Sequence, residues 1–161
     1  MEVVSEDGDA IDVVVALSND LARFGISTML ERLAAVRSLT SCKTGAEAID
    51  HLANHPAHIV VLPCLEPQAG LGDLMALCER TGIKVLMLME DSDHDCIDRV
   101  LVAVPDGFLL QSELTLHTLA DTISRLVHGE LPIPPAVARR LLTRAREGTR
   151  STAPTSRRWR C

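Results

Sequence analysis

The chain has 161 residues, 47% of them hydrophobic and 24% charged, with a formal net charge of −6. That length fits one domain with an appendage, large enough to bury about two-thirds of its surface without disulfide or metal staples. Three aromatic residues, Phe24, Phe108 and Trp159, exclude a stacking platform for single-stranded nucleic acid, and no apolar run reaches the roughly 18 residues of a membrane span.

Residues 1–10 are acidic, without a signal-peptide pattern, and are expected to be disordered; the expected compartment is the cytoplasm. Five short apolar runs then alternate with amphipathic stretches. The first run is Val13-Val14-Val15-Ala16-Leu17, followed by a helix pattern capped by Asn19 or Asp20, with Leu21, Phe24, Ile26, Met29, Leu30 and Leu33. A weaker run lies around Val36 to Thr40. Thr44, with Glu47 three residues on, predicts a capping box for a helix carrying Ala48, Ile49 and Leu52.

The third run, Ile59-Val60-Val61-Leu62, precedes a helix at about 72–81. The fourth, Val85-Leu86-Met87-Leu88-Met89, precedes one at about 94–104. The fifth, Phe108-Leu109-Leu110, precedes a helix at about 113–128 that Gly129 stops. A sixth helix starts at Pro134-Pro135 and carries Val137, Leu141 and Leu142. Continuous apolar runs mark strands buried on both faces, and their alternation with helices marks right-handed βαβ units. The expected fold is α/β: a (βα)5 doubly wound parallel sheet over residues 11–129, a linker helix over 130–147, and a disordered basic tail over 148–161.

Charge is divided unevenly. Residues 139–161 hold eight arginines and one acid, Glu147, for a net +7; the other 138 residues carry −13. The tail reads as a solvated terminus, with a weak electrostatic contact to nucleic acid or an acidic partner as the alternative. The five cysteines, 42, 64, 78, 96 and 161, form no CxxC. They read as reduced, mostly buried thiols rather than a disulfide framework or zinc site.

Ligands in open α/β sheets bind beyond the carboxyl ends of the strands. Those ends read Leu17-Ser18-Asn19, Pro63-Cys64-Leu65-Glu66, Glu90-Asp91-Ser92-Asp93 and Gln111. The segments DVVVALSNDLARFGISTMLERL, HIVVLPCLEP, KVLMLMEDSDHD and DGFLLQSELTLHTLADTISRLVHGE together resemble the receiver domain of bacterial response regulators, of the NarL/FixJ type. PPAVARRLL resembles that type's linker helix, so the resemblance spans residues 11–147.

The resemblance implies a CheY-like fold, and it also locates five departures. The family places two Mg²⁺-binding acids after strand one, where this chain has Leu17 and Ser18. The phospho-accepting aspartate is replaced by Pro63, the hydroxyl ending strand four by Met89, and the lysine ending strand five by Gln111. Mg²⁺ requires hard oxygen ligands, and aspartyl phosphorylation requires a carboxylate nucleophile. A thioether cannot donate a hydrogen bond, and glutamine carries no charge. A pseudo-receiver without phosphotransfer chemistry is therefore expected, and not an enzyme, with no cofactor and no metal.

Other motifs have structural readings. Asp91, Asp93 and Asp95 mimic the start of a Ca²⁺ loop, but the sixth and twelfth positions are Cys96 and Val102 rather than Gly and Glu. His51, His55 and His58 read as surface histidines, with a transition-metal site as the sharper alternative. Gly70-Leu71-Gly72 lacks the third glycine of a dinucleotide fingerprint and reads as loop. Cys64 reads as a small apolar residue, with a redox role as the alternative.

The expected function is a regulatory module of a LuxR-type transcriptional regulator, acting through a homodimer or protein partner. The family's dimers often use helices corresponding to about 19–33 and 113–128. DNA contact is expected only through an output domain that this chain lacks, and no membrane contact is expected. The alternative is a sensor in which Leu17, Pro63 and Met89 line an apolar pocket for a small organic ligand.

Overall fold

The computed structural model describes residues 10–64, 70–90 and 105–151, with side chains described to residue 147. Five parallel strands form one sheet: β1 (Ile11–Ala16), β2 (Val36–Cys42), β3 (Ile59–Pro63), β4 (Lys84–Met89) and β5 (Gly107–Leu110), in the order β2-β1-β3-β4-β5. The helices are α1 (Asp20–Glu31), α2 (Gly45–Asn54), α3 (Leu71–Thr81), α4 (Leu116–Val127) and α5 (Pro135–Ser151), with a 3₁₀ turn at Gln111–Glu113. The fourth helix of the sequence pattern, at about 94–104, lies outside the described residues, as does the acidic cluster from Asp91 to Asp98.

The continuous runs became strands for the expected reason. Their alternate side chains enter different cores on the two faces of one sheet. Val13, Val15, Leu86, Leu88 and Leu109 pack with Ile26 and Leu30 of α1 and Leu119, Ile123 and Leu126 of α4. Val14, Val60, Leu62 and Val85 pack against α2 and α3 through Ala48, Leu74 and Cys78. A third cluster joins Cys64, Met87, Met89, Phe108 and Leu110 to Val137 of α5, which is 0% exposed.

The two edge strands differ. β2 is exposed or half-buried at all but its last position, which explains why its apolar run is weak. β5 is buried at all four positions because other elements cover it. The Phe108 amide donates to the Pro132 carbonyl at 2.9 Å, so the chain leaving α4 follows the edge. α5 then lies over the Met87, Met89, Phe108 and Leu110 side chains. The linker helix is thus packed onto the sheet, and it runs to Ser151, past residue 147 where the sequence pattern ends it.

Caps follow the sequence closely. Asn19 Oδ1 accepts the Ala22 amide at 2.9 Å, and Thr44 Oγ1 accepts the Glu47 amide at 3.1 Å. The Glu47 carboxylate reaches back to the Lys43 amide at 3.2 Å, one residue before the cap itself. Gly129 is left-handed, with φ 82°, and ends α4 as expected.

Candidate functional site

The carboxyl ends of β1, β3, β4 and β5 lie side by side at one end of the sheet. Leu17 follows β1, donates its amide to the Cys42 carbonyl at 3.1 Å, and is 2% exposed within the α1–α4 core. Ser18 next to it is exposed. Pro63 ends β3 half-buried, paired with Leu88 of β4. Met89 ends β4 at 0% exposure. Gln111 is exposed and opens the 3₁₀ turn just after β5.

The five positions do not form one cluster. Leu17 points into the core on one face of the sheet, whereas Met89 belongs to the cluster on the other face with Cys64, Phe108 and Val137. Pro63 is in neither cluster and lies half-buried at the strand end. Among the described residues the two buried side chains pack into separate clusters. Cavities of about 580, 400 and 310 Å³ lie elsewhere: against Cys78, Lys84 and Asp106, against Asp12, Thr40 and His51, and between α4 and Pro132–Pro135.

Sequence reasoning missed Arg23. Its guanidinium folds back from α1 over the loop after β1. Nη1 donates to the Leu17 carbonyl at 2.9 Å and reaches the Ser18 carbonyl at 3.5 Å. Nη2 donates to Asp20 Oδ1 at 2.5 Å. That contact holds the Asp20 carboxyl below its ordinary range, through the Arg23 hydrogen bond first and its charge second. A fixed cation therefore sits on the loop where the family resemblance places Mg²⁺-binding acids. It satisfies carbonyls that would otherwise face solvent, and like charge disfavours a second cation beside it. The Asp20-x-x-Arg23 spacing is a common helix pair, so only the fold shows where it points.

Cys64 corrects the expectation that all thiols are reduced. It is disulfide-bonded, and its partner lies outside the described residues. Spacing along the chain cannot show which sulfurs a fold brings together. Cys42 and Cys78 are free and buried, as expected. Burial, aided by the Asp106 charge, pushes the Cys78 thiol up to about 11; burial, then Glu47, also raises Cys42.

The histidines lie at the amino-terminal side of the sheet, away from these strand ends. The His51 and His55 rings stack, with centroids 4.6 Å apart and an interplanar angle of 12°. His51 Nε2 is 3.2 Å from Thr40 Oγ1. His58 Nδ1 accepts the Asp12 amide at 3.0 Å. Among the described residues no three His, Cys, Asp or Glu side chains are grouped to hold a metal ion. Gly70-Leu71-Gly72 leads into α3 and packs Gly70 against Gly45.

Solved structures share this fold. The isolated receiver domain of RcsB from Salmonella enterica serovar Typhimurium, crystallised with beryllofluoride, superposes with a TM-score of 0.68 at 20% identity, covering 82% of this chain and 99% of that one. The fold is that of a receiver domain. ChrA, a response regulator of a heme-sensing two-component system, matches with a TM-score of 0.67 at 22% identity, covering 84% of this chain and 66% of that one. A structure of two RcsB dimers on two parallel DNAs matches with a TM-score of 0.69 at 20% identity, covering 82% of this chain and 68% of that one. No protein-family model and no curated protein matches the sequence. No described helix is long and apolar enough to cross a membrane.

Proposed function

We propose that this chain is a phosphorylation-independent receiver module, a pseudo-receiver of the NarL/FixJ, LuxR-type class of regulators, and not an enzyme. One observation carries the reading: β3 ends in Pro63, which has neither a nucleophile nor an amide proton, at the position where a receiver needs its carboxylate. The surroundings agree with it. Leu17 and Met89 are buried in separate cores, and Arg23 supplies the positive charge on the β1 loop.

Signalling without a phosphoryl group must reside in assembly. Leu21 and Phe24 of α1 are 82% and 72% exposed, three residues apart on one helical face. α1 packs beside α4, so the two helices form one surface. A paired apolar contact of this kind, with an aromatic anchor, is the chemistry of a self-association interface. RcsB forms dimers on DNA. Among the described residues no observation favours the small-ligand reading, since Leu17 and Met89 pack into separate apolar clusters.

The test combines phosphodonor and mass. Incubation with acetyl phosphate and Mg²⁺ should add no phosphoryl mass to the chain. Leu21→Ser with Phe24→Ser should turn a dimer into a monomer while leaving the melting temperature nearly unchanged. A phosphorylated product contradicts the reading.

A further inference from the structure

We propose that the outer face of α5 is a binding site for the phosphate backbone of double-stranded nucleic acid, read without sequence preference and without any output domain. The inference goes beyond the pseudo-receiver reading and does not depend on it.

The helix is anchored on one side and basic on the other. Val137 and Leu141 pack into the cluster of Met87, Met89, Phe108 and Leu110. With 3.6 residues per turn, Arg139, Thr143 and Arg146 fall on the opposite side, and all three are exposed. Arg150 continues the same i, i+4, i+7, i+11 spacing within the helix. Glu147, the lone acid after residue 138, is engaged by Arg144 at 3.0 Å. Neither Arg139 nor Arg146 has an ion-pair partner among the described residues. Arg140 does not belong to this row, since its Nη1 is buried.

The choice of side chain matters. All eight bases after residue 138 are arginines, and the two lysines, Lys43 and Lys84, lie in the body. A planar guanidinium engages phosphate with two parallel hydrogen bonds, which an ammonium cannot do. The row spans roughly 10 Å from Arg139 to Arg146 and about 16 Å to Arg150. A duplex presents a charge about every 1.7 Å of its axis, so a rigid row finds phosphates in any register. An acidic protein would need carboxylates at matching positions. The described row has no aromatic ring on which unpaired bases could stack, which favours a duplex over a single strand. The body's charge of −13 repels the duplex and directs it to this one face.

The experiment is fluorescence anisotropy of the full chain with a labelled 20-base-pair duplex of arbitrary sequence, from about 50 to 200 mM salt. For about three phosphate contacts, affinity should fall roughly fortyfold across that range, equally for unrelated sequences. Arg139→Glu with Arg146→Glu should abolish the binding and keep the melting temperature. Arg32→Glu, an exposed charge reversal just after α1, should leave binding nearly unchanged. Single Arg139→Ala and Arg146→Ala variants should each flatten the salt dependence by about one contact, so the site remains testable if the double variant folds poorly. Absence of binding at 50 mM salt, unchanged binding by the double variant, or equal competition by polyglutamate would each overturn the proposal.

Discussion

Pro63 stands opposite Leu88 in the parallel β3–β4 ladder, and the Leu88 carbonyl takes its hydrogen bond from the next residue, Cys64, whose amide lies 3.1 Å away. Proline at the last position of a central strand costs the ladder no bond there, because the amide after it completes the pairing. The strand end is thus stable without an acid.

Restoring the acid alone should not restore chemistry. Pro63→Asp places a carboxylate at the end of β3, but Leu17 and Ser18 supply no carboxylate ligand for Mg²⁺ and the Arg23 guanidinium already covers that loop. The expected outcome is no phosphoryl mass increment with acetyl phosphate and Mg²⁺, read by intact-protein mass spectrometry. Phosphorylation of the single variant would show that the β1 loop still accommodates the ion.

Gly45 and Gly70 make a close backbone contact between α2 and the start of α3. A Cβ on Gly45 would lie 2.7 Å from the Gly70 carbonyl carbon and 2.9 Å from the Leu71 nitrogen. Backbone cannot step aside as a flexible side chain does, so Gly45→Ala should cost about 1–3 kcal/mol. Gly25→Ala, on α1 with nothing within 4 Å of the new methyl, should instead stabilise by about 0.5–1 kcal/mol. Thermal unfolding of the pair should move in opposite directions.

Asp12 ties the start of the sheet together. Arg37 donates to its carboxylate through Nε at 3.1 Å and Nη2 at 2.6 Å, and Ser38 Oγ donates at 2.6 Å. The Arg37 hydrogen bonds, then Ser38, lower its pKa from 3.8 to about 2. Because the unfolded carboxyl binds its proton first, this stabilisation is complete above about pH 4 and is lost as pH falls to about 2. Arg37 is more than half exposed, so solvent screening keeps the worth of the pair small. Urea melts of Asp12→Asn should show that loss at pH 6 and converge on the parent near pH 2.

The two free thiols among the described residues act in the opposite direction. Cys78 titrates at about 11 in the fold against 9.0 for an ordinary thiol, so its contribution is full below about pH 9 and is lost as pH rises to about 11. Iodoacetamide at pH 8 should leave Cys42 and Cys78 unmodified until denaturant is added. Rapid labelling of either in the native state would show that its strand or helix opens.

Residues differ in how much they revealed in advance. Val13–Ala16, Ile59–Leu62 and Val85–Met89 were legible as buried parallel strands because both of their faces are covered, and Asn19 and Thr44 because caps are local. Val36–Cys42 was only faint, since an edge strand needs few apolar residues. The placement of Arg23 over Leu17 and Ser18, the packing of Val137 onto β4 and β5, and the disulfide at Cys64 were not legible. Each depends on which segments the fold brings together, which local spacing does not encode.

The central claim, assembly without phosphorylation, is tested most directly by light scattering across a range of concentrations, with and without Mg²⁺ and beryllofluoride. The account predicts a dimer whose mass is the same in both conditions. A monomer that dimerises only when beryllofluoride and Mg²⁺ are present would contradict it.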